Sequence, residues 1–201
     1  LLQTMGARRI NVDECHRSVH GKINFPLKAR PRLSEEEWDF FINHLNRASE
    51  IAADFDIEIA YHQHLGTVVQ DQQDLVRLLE CTKSEVGLCF DTGHLLCAGI
   101  DPMWVLEQFG NRINHVHFKD VRADVLSGFS DEKSFLDGVL SGLFTVPGDG
   151  MIDFAPLVTK LMELGYKGWI VVEAEQDPEI ADPLSYAQKA HRYLENLVAI
   201  H

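Results

Sequence analysis

Four segments of the sequence share one pattern, an apolar run that ends in ionisable side chains. The segments are IEIAYHQH (57–64), VGLCFDTGH (86–94), INHVHFKD (113–120) and WIVVEAEQD (169–177). Imidazoles and carboxylates gathered at this density suit a divalent ion such as Mn²⁺, Co²⁺ or Zn²⁺, and they also supply general acids and bases. The pattern indicates a metal-binding site, provided that the four segments end at one place.

Strand geometry predicts which of these side chains lie on the same face, because residues two apart in a strand point to the same side. The pairs are His62 with His64, Cys89 with Asp91, His115 with His117 and Lys119, and Glu173 with Glu175. The residues between them, Val116, Phe118 and Val172, are expected to face covering helices. Parallel α/β sheets bind ligands beyond the carboxyl ends of their strands, so the ionisable side chains are expected to meet there.

Each of these residues also has a purely structural interpretation. A single histidine at a strand end is more often a hydrogen-bonded packing residue than a ligand, by roughly three to one. His115, which lies deeper in its strand than His117, fits that interpretation. Asp91 in DTGH also fits a turn cap, and Glu175 a solvated loop carboxylate. Because four segments repeat the pattern, a shared site is the favoured interpretation.

The other histidines, the cysteines and one glycine-rich segment give no clear indication of a functional site. The histidines placed in loops or on helices, and interpreted as surface residues, are His16, His20, His44, His191 and His201. Cys89 and Cys97 have no diagnostic spacing with a histidine, which argues against a catalytic thiol. VPGDG resembles a phosphate-binding glycine loop only weakly, since no strand precedes it, and a closing or substrate-positioning loop is the alternative.

Alternating strands and helices must position these side chains. Strand patterns cover 9–13, 57–61, 86–90, 113–118 and 169–173, and helix patterns begin at Ser34 and Asp101 and cover 72–80, 134–140, 153–164 and 183–198. Ser34 and Glu37 form a capping box for the first long helix. Strands that alternate with helices pair in parallel, so the sequence predicts one α/β domain over residues 1–201.

Composition excludes several classes of protein. The chain is 45% hydrophobic and 24% charged, which suits one sizeable core and not a disordered chain. Its net charge of −13 argues against a nucleic-acid binder or an anionic membrane surface. No apolar run spans a bilayer, the N-terminal residues lack a secretory signal, and four dispersed cysteines indicate free thiols. We therefore expect a cytoplasmic enzyme or small-molecule binder.

The order YHQHLGT, GLCFDTGH, INHVHFKDVR, FTVPGDG and GWIVVEAEQDP resembles the xylose-isomerase-like TIM-barrel superfamily of sugar isomerases and epimerases, over roughly residues 6–197. FTVPGDG and GWIVVEAEQDP are similar, more narrowly, to the inosose dehydratase family of bacterial inositol catabolism. The resemblance implies a TIM (β/α)₈ barrel. It also implies a hydro-lyase that dehydrates 2-keto-myo-inositol (scyllo-inosose) to a trihydroxycyclohexane-dione.

The resemblance further implies roles for individual residues. One residue from each of four successive strand ends holds the metal in this superfamily, which gives His62, Asp91, His117 and Glu173. Epimerase relatives carry Glu where His62 stands, and His64 is the alternative first ligand. A second set of residues is implied to bind substrate oxygens, and Lys119 is an alternative to Arg122 in this set. That set is His94, Arg122, His64 and Glu175.

Catalytic roles follow from the same resemblance. Glu173, ligand and base at once, is the implied proton abstractor. His62 is interpreted as the acid at the leaving hydroxyl, because an imidazolium donates a proton at neutral pH. Lys119 and Glu175 are reserve candidates for this acid. The implied cofactors are Mn²⁺ or Co²⁺, with Zn²⁺ as an ion found in crystals, and glutathione. The implied partner is a small polyol ketone, not nucleic acid or a membrane, and homo-oligomerisation is left open.

The number of units conflicts with a complete barrel. Five βα units are recognisable, whereas a TIM barrel has eight and about 250 residues. We interpret the chain as the C-terminal five units of a longer protein; a truncated product completed by another chain and a smaller α/β fold are the alternatives. Two apolar sheet edges are then expected to be open. The rival functions are a sugar or keto-acid epimerase or isomerase and a non-catalytic homologue.

Overall fold

Five parallel strands form one sheet in the computed structural model, which describes residues 1–199. The strands are β1 (Arg9–Val12), β2 (Glu58–His62), β3 (Val86–Asp91), β4 (Ile113–Phe118) and β7 (Ile170–Val172), in the spatial order β1-β2-β3-β4-β7. Every neighbouring pair is parallel. The predicted α/β alternation is therefore confirmed, because each strand returns to the same sheet through a helical crossover.

Eight helices connect and cover these strands within the described residues. They are α1 (Glu35–Ala53), α2 (Gln72–Cys81), α3 (Thr92–Cys97), α4 (Pro102–Phe109), α5 (Ala123–Ser127), α6 (Phe135–Leu140), α7 (Phe154–Glu163) and α8 (Pro183–Ala199). Side-chain caps begin several of them. Ser34 forms the expected capping box with Glu37, Asp71 and Ser134 form two more boxes, and Asp101 caps a helix with Pro102 in its first turn.

The core lies between the outer face of the sheet and the helices. Val116 and Phe118 are fully buried there, against Leu106 of α4 and Leu157 of α7. A second cluster packs Trp38 and other residues of α1 on β2. The apolar residues between the ionisable ones thus face the covering helices, as expected, and the ionisable ones are left to the other face.

Two short helices and a pair of short strands were not predicted. Helix α3 begins directly after β3, capped by Asp91, and α5 follows Arg122. Strands β5 (Asp120–Val121) and β6 (Phe144–Thr145) form a separate antiparallel pair. These elements have two to six residues, too few for a periodic pattern in the sequence. Within the described part of the chain, no helix is both long and apolar enough to cross a membrane.

Candidate metal centre and substrate site

Strand register brings the four predicted ligands together at the carboxyl edge of the sheet. His62 pairs with Cys89 across β2 and β3, and Asp91 pairs with His117 across β3 and β4. The backbone N–H of Glu173 donates to the carbonyl of Phe118, so Glu173 follows β7 at the same level. One ligand atom from each of His62, Asp91, His117 and Glu173 lies within 4.8 Å of the others.

One oxygen of Asp91 lies close to both histidines of this group. Asp91 Oδ2 lies 3.3 Å from His62 Nε2 and 3.5 Å from His117 Nδ1. Glu173 Oε2 lies 3.1 Å from the same His117 nitrogen. Asp91 Oδ1 accepts hydrogen bonds from the backbone of Gly93 and His94, each at 3.0 Å. Asp91 is therefore both a helix cap and a candidate metal ligand, as the two interpretations of the sequence predict. One of its oxygens caps α3, and the other faces His62 and His117.

Electrostatics explain how buried carboxylates stay ionised here. Burial alone would raise the pKa of Asp91, but the charge of Lys119 and hydrogen bonds from His117 and His62 hold it well below its usual value. Burial would also lower the pKa of His117, yet hydrogen bonds to Asp91, Cys89 and Glu173 raise it to about 12. The His117 proton thus occupies the place where a cation binds, and a metal ion would have to displace it.

The donor set fits a divalent ion of the zinc, cobalt or manganese class. Two imidazole nitrogens and two carboxylate oxygens converge, and such mixed sets suit these metals. Cys89 forms an overlapping group with His62 and His117. Burial raises the pKa of Cys89 to about 11, so its sulfur is a protonated thiol at neutral pH and not the thiolate that binds metal.

Lys119 lies in the middle of a second group. His64, His94 and Glu175 also place one ligand atom each within 4.8 Å of one another. The Lys119 side chain is fully buried, and its Nζ lies 2.8 Å from both His94 Nε2 and Glu175 Oε2. It is also 3.0 Å from Glu173 Oε2. An ammonium group therefore occupies the position that a second metal would need, and Glu175 is an ion-pair partner, not a solvated loop carboxylate.

His64 and His94 are held as neutral rings with defined tautomers. His64 Nδ1 donates to the carbonyl of Leu65 at 2.7 Å, which leaves Nε2 as an acceptor. Burial, and next the nearby His62, lower the pKa of His64 to about 4. His94 Nε2 accepts from the Lys119 ammonium, and burial holds its pKa well below its usual value. His64 belongs to the second group only, which favours His62 over His64 as the first metal ligand.

Arg122, which the resemblance assigns to substrate oxygens, forms hydrogen bonds to residues 142–149 and to α8 instead. Its Nη1 donates to the carbonyls of Gly142 and Phe144, and its Nη2 donates to Thr145, Asp149 and Tyr186. Asp120 accepts from the backbone N–H groups of Gly148 and Gly150 in the VPGDG loop (146–150) and from that of Ile152 just after it. The basic residue that reaches the cluster is Lys119, and Arg122 anchors the loop.

Several residues near the site escaped the sequence analysis. Asn11, near the end of β1, lies 3.1 Å from His117 Nε2 and orients that ring; the strand-end pattern could have identified it. His20 was wrongly interpreted as a surface residue, since its half-buried ring packs on His64 and Phe135. His20 lies in a loop, where the sequence has no periodic pattern that would predict packing against the site.

The other predicted histidines belong to neither ligand group among the described residues. His16, His44 and His191 are exposed, as expected, and His201 lies outside the described residues. His115 is half-buried and belongs to neither ligand group, which agrees with its structural interpretation. The four cysteines are free thiols.

Comparison with known proteins agrees with this architecture. A family model described as "Xylose isomerase-like TIM barrel" matches residues 1–197. Among solved structures, the IolI protein with a bound zinc atom superimposes with a TM-score of 0.71 at 20% identity, covering 98% of this chain and 65% of that one. The probable 3-DHS dehydratase AsbF of Bacillus anthracis also has a TM-score of 0.71, at 14% identity, covering 96% and 65%.

Curated relatives show higher sequence similarity. The inosose dehydratase of Geobacillus thermodenitrificans is 48% identical over 196 residues, which are 96% of this chain and 66% of that protein. An inosose dehydratase of Clostridium botulinum is 44% identical, covering 99% and 68%, and the rhizopine catabolism protein MocC of Rhizobium meliloti is 43% identical, covering 99% and 62%. The chain thus spans about two thirds of the length of these relatives. It belongs to the xylose isomerase-like TIM-barrel family.

Proposed function

We propose that the chain carries the catalytic centre of an inosose dehydratase. The reaction removes water from scyllo-inosose, a cyclic polyol ketone, and leaves a trihydroxycyclohexane-dione. The convergence of His62, Asp91, His117 and Glu173 at one point carries the proposal, together with the similarity to inosose dehydratases. We further propose that the five βα units are the last five of an eight-unit barrel in a single domain.

The four converging residues would hold one divalent metal ion. We propose Mn²⁺ or Co²⁺, with Zn²⁺ as a further ion that the same ligands accept. When bound, such an ion supplies a Lewis acid that polarises the ketone and acidifies the neighbouring C–H bond. Lys119 already fills the second ligand group, so we expect one metal ion per chain.

Glu173 is the proposed general base. Burial alone would raise the pKa of Glu173, but the hydrogen bond from His117 and the charge of Lys119 lower it, so the group is a carboxylate at neutral pH. The carboxylate is about one-third exposed, which leaves it accessible to a substrate above the sheet. It would take the proton from the carbon next to the ketone.

His62 is the proposed general acid, with Lys119 and Glu175 as the reserve candidates. The His62 side chain is 12% exposed and lies at the edge of the ligand group. Metal binding requires a neutral imidazole, so His62 would act as the acid when the other three ligands hold the ion. It would then give a proton, as an imidazolium, to the hydroxyl one carbon further on, which leaves as water, and the enol that results relaxes to the second ketone. His94, His64 and Glu175 are proposed to bind the remaining substrate oxygens.

Epimerases of this fold family are expected to need two opposed carboxylates. The ligand group contains a single glutamate, and the nearby Glu175 is paired with Lys119. These observations favour dehydration over epimerisation.

The proposal is tested by incubating the chain with scyllo-inosose and Mn²⁺ or Co²⁺. An ultraviolet absorbance from the enolic diketone is expected to rise, and chelation of the metal should abolish it. Asp91→Asn should lose both bound metal and activity, whereas Asp124→Asn, an exposed helix residue, should keep both. Absence of the absorbance from the metal-loaded chain would overturn the proposal, and a chain without stoichiometric metal would indicate a non-catalytic homologue. Addition of glutathione to the same assay tests its proposed requirement.

The role of His62 has a separate test. His62→Glu should bind metal but lose dehydration, because a carboxylate at this place is a poor donor at neutral pH. Exchange of the substrate C–H proton with deuterated solvent should continue, since Glu173 is unchanged. Normal dehydration by His62→Glu would show that another group is the acid.

A further inference from the structure

The loop between β1 and α1 is attached to the site at two places. The backbone N–H of Val19 donates to the carbonyl of Gly66 at 2.9 Å, and that of Leu27 donates to the carbonyl of Lys133 at 2.9 Å. Gly66 has a φ of +81°, and a Cβ there would lie 2.9 Å from the backbone nitrogen of His20. The close contact requires glycine and sets the position of His20 over the turn that follows β2.

The His20 side chain lies against the second ligand group. Its ring centroid is 5.0 Å from that of His64 and 6.4 Å from that of Phe135. The centroid of the His94 ring is 3.8 Å from that of His64. Ring contacts thus form a row from His20 in the β1–α1 loop through His64 to His94, which accepts from the Lys119 ammonium.

Two nitrogens in this row are shielded from solvent without a hydrogen-bond partner among residues 1–199. They are Nδ1 of His20 and Nδ1 of His94. His94 Nδ1 is an N–H group, since Nε2 of that ring accepts from Lys119. No such partner fixes the tautomer of His20 among the described residues, and an unpaired buried acceptor is tolerated better than an unpaired N–H group. The His20 proton therefore belongs on Nε2, which makes Nε2 a donor, while His64 Nε2 is an acceptor because Nδ1 of that ring is already a donor to Leu65.

A donor and an acceptor on adjacent rings match one hydroxyl group, which both donates and accepts. We propose that His20 and His64 form a hydroxyl-binding subsite for the cyclic polyol. His20 Nε2–H donates to one ring hydroxyl of the ligand, and His64 Nε2 accepts from it. The subsite rests on the proposed function for its ligand class, and it makes His20 a specificity-determining residue.

The test compares His20→Phe with His20→Asn. Phenylalanine keeps the packing on His64 and Phe135 but removes both nitrogens, whereas asparagine keeps an N–H donor. For His20→Phe we expect KM for scyllo-inosose to rise about 3- to 10-fold, the range of one neutral hydrogen bond, with kcat within about twofold. The Kd for myo-inositol, measured by calorimetry, should rise by the same factor. His20→Asn should restore part of the affinity, and metal content should stay unchanged.

His16→Ala is the matched control, because His16 is an exposed histidine of the same loop. If the wild-type chain turns over scyllo-inosose and His20→Phe keeps the wild-type KM, the subsite is refuted and the proposed function stands. If the wild-type chain binds myo-inositol without turning over scyllo-inosose, and His20→Phe weakens that binding, the proposed function fails and the subsite stands. Absence of binding to either compound overturns both.

Discussion

Single side chains at this centre perform two tasks at once. Asp91 caps α3 with one oxygen and faces the ligand group with the other. Lys119 balances charge between Glu173 and Glu175 and fixes the tautomer of His94. A substitution at either residue therefore changes both the local fold and the electrostatics of the site, and controls must separate these effects.

The ammonium of Lys119 is expected to limit the chain to one metal ion. Lys119→Met removes the charge from the group of His64, His94 and Glu175 and leaves three ligands without a cation. Metal analysis after dialysis should then find a second equivalent of Co²⁺ in Lys119→Met and one equivalent in the wild-type chain. Lys119→Arg keeps the charge and should keep one. A single equivalent in Lys119→Met would contradict the idea that lysine occupies a metal position.

Neutral histidines make the stability of the metal-free chain depend on pH. The pKa of His64 is about 4 in the folded chain, below the value near 6.5 that an unfolded chain restores, because burial disfavours the charged ring. The unfolded chain therefore binds more protons between these two values, and the free energy of unfolding should fall as pH falls through this window. His117 stays protonated in the folded chain throughout this window, since its folded pKa is about 12. Its contribution to stability therefore changes mainly above about pH 6.5, where the His117 ring of the unfolded chain is neutral.

Urea unfolding in the presence of a chelator, at pH 7 and pH 5, measures this loss. In His64→Gln the free energy of unfolding should fall less between pH 7 and pH 5 than in the wild-type chain. His16→Gln should leave the pH dependence unchanged, because His16 is exposed. Equal pH dependence in wild type and His64→Gln would remove His64 from the explanation.

At the scale of elements, two charged side chains hold the VPGDG loop. Asp120 accepts from two backbone N–H groups of this loop and from that of Ile152 just after it. Arg122 joins Asp149 of the loop to Gly142 at the end of α6 and to Tyr186 of α8. Asp149 of the loop is also paired with Lys189 of α8. The loop is therefore fixed by hydrogen bonds and ion pairs on several sides, which suits a wall of the site.

Arg122→Ala should destabilise the chain by about 3 kcal/mol, because it leaves the carbonyls of Gly142 and Phe144 without their charged donor and removes one of the two cationic partners of Asp149. Thermal or urea unfolding measures this change. Arg47→Ala, which removes an exposed ion pair with Glu50, should change stability by less than about 0.5 kcal/mol. A similar small effect of Arg122→Ala would show that the loop does not need the guanidinium.

At the scale of the whole molecule, the described sheet is open at both edges. β1 and β7 each have one strand neighbour in the order β1-β2-β3-β4-β7. Apolar side chains are exposed beside β7, with Val171 38% and Trp169 82% accessible. Unpaired, apolar strand edges promote association between copies.

We expect the chain to associate as its concentration rises, and Val171→Lys to reduce this association. A lysine on an edge strand opposes pairing with another chain. Light scattering over a concentration series measures the effect, with Leu140→Lys on the exposed face of α6 as the control. Equal association of Val171→Lys and the wild-type chain would show that this edge is not the contact.

The sequence by itself determined the alternation of strands and helices, the capping box at Ser34 and the ionisable side chains at four strand ends; the resemblance to the family implied which four of these would bind metal. These features are local, since periodicity, caps and strand-end chemistry all appear within a few neighbouring residues. Only the tertiary structure decided which residues far apart in the sequence are in contact. Lys119 fills the second ligand group, Arg122 anchors a loop, and His20 packs on His64, because register and loop contacts bring together side chains between 20 and 56 positions apart. No local pattern encodes such distances, and packing of the whole fold is what sets them.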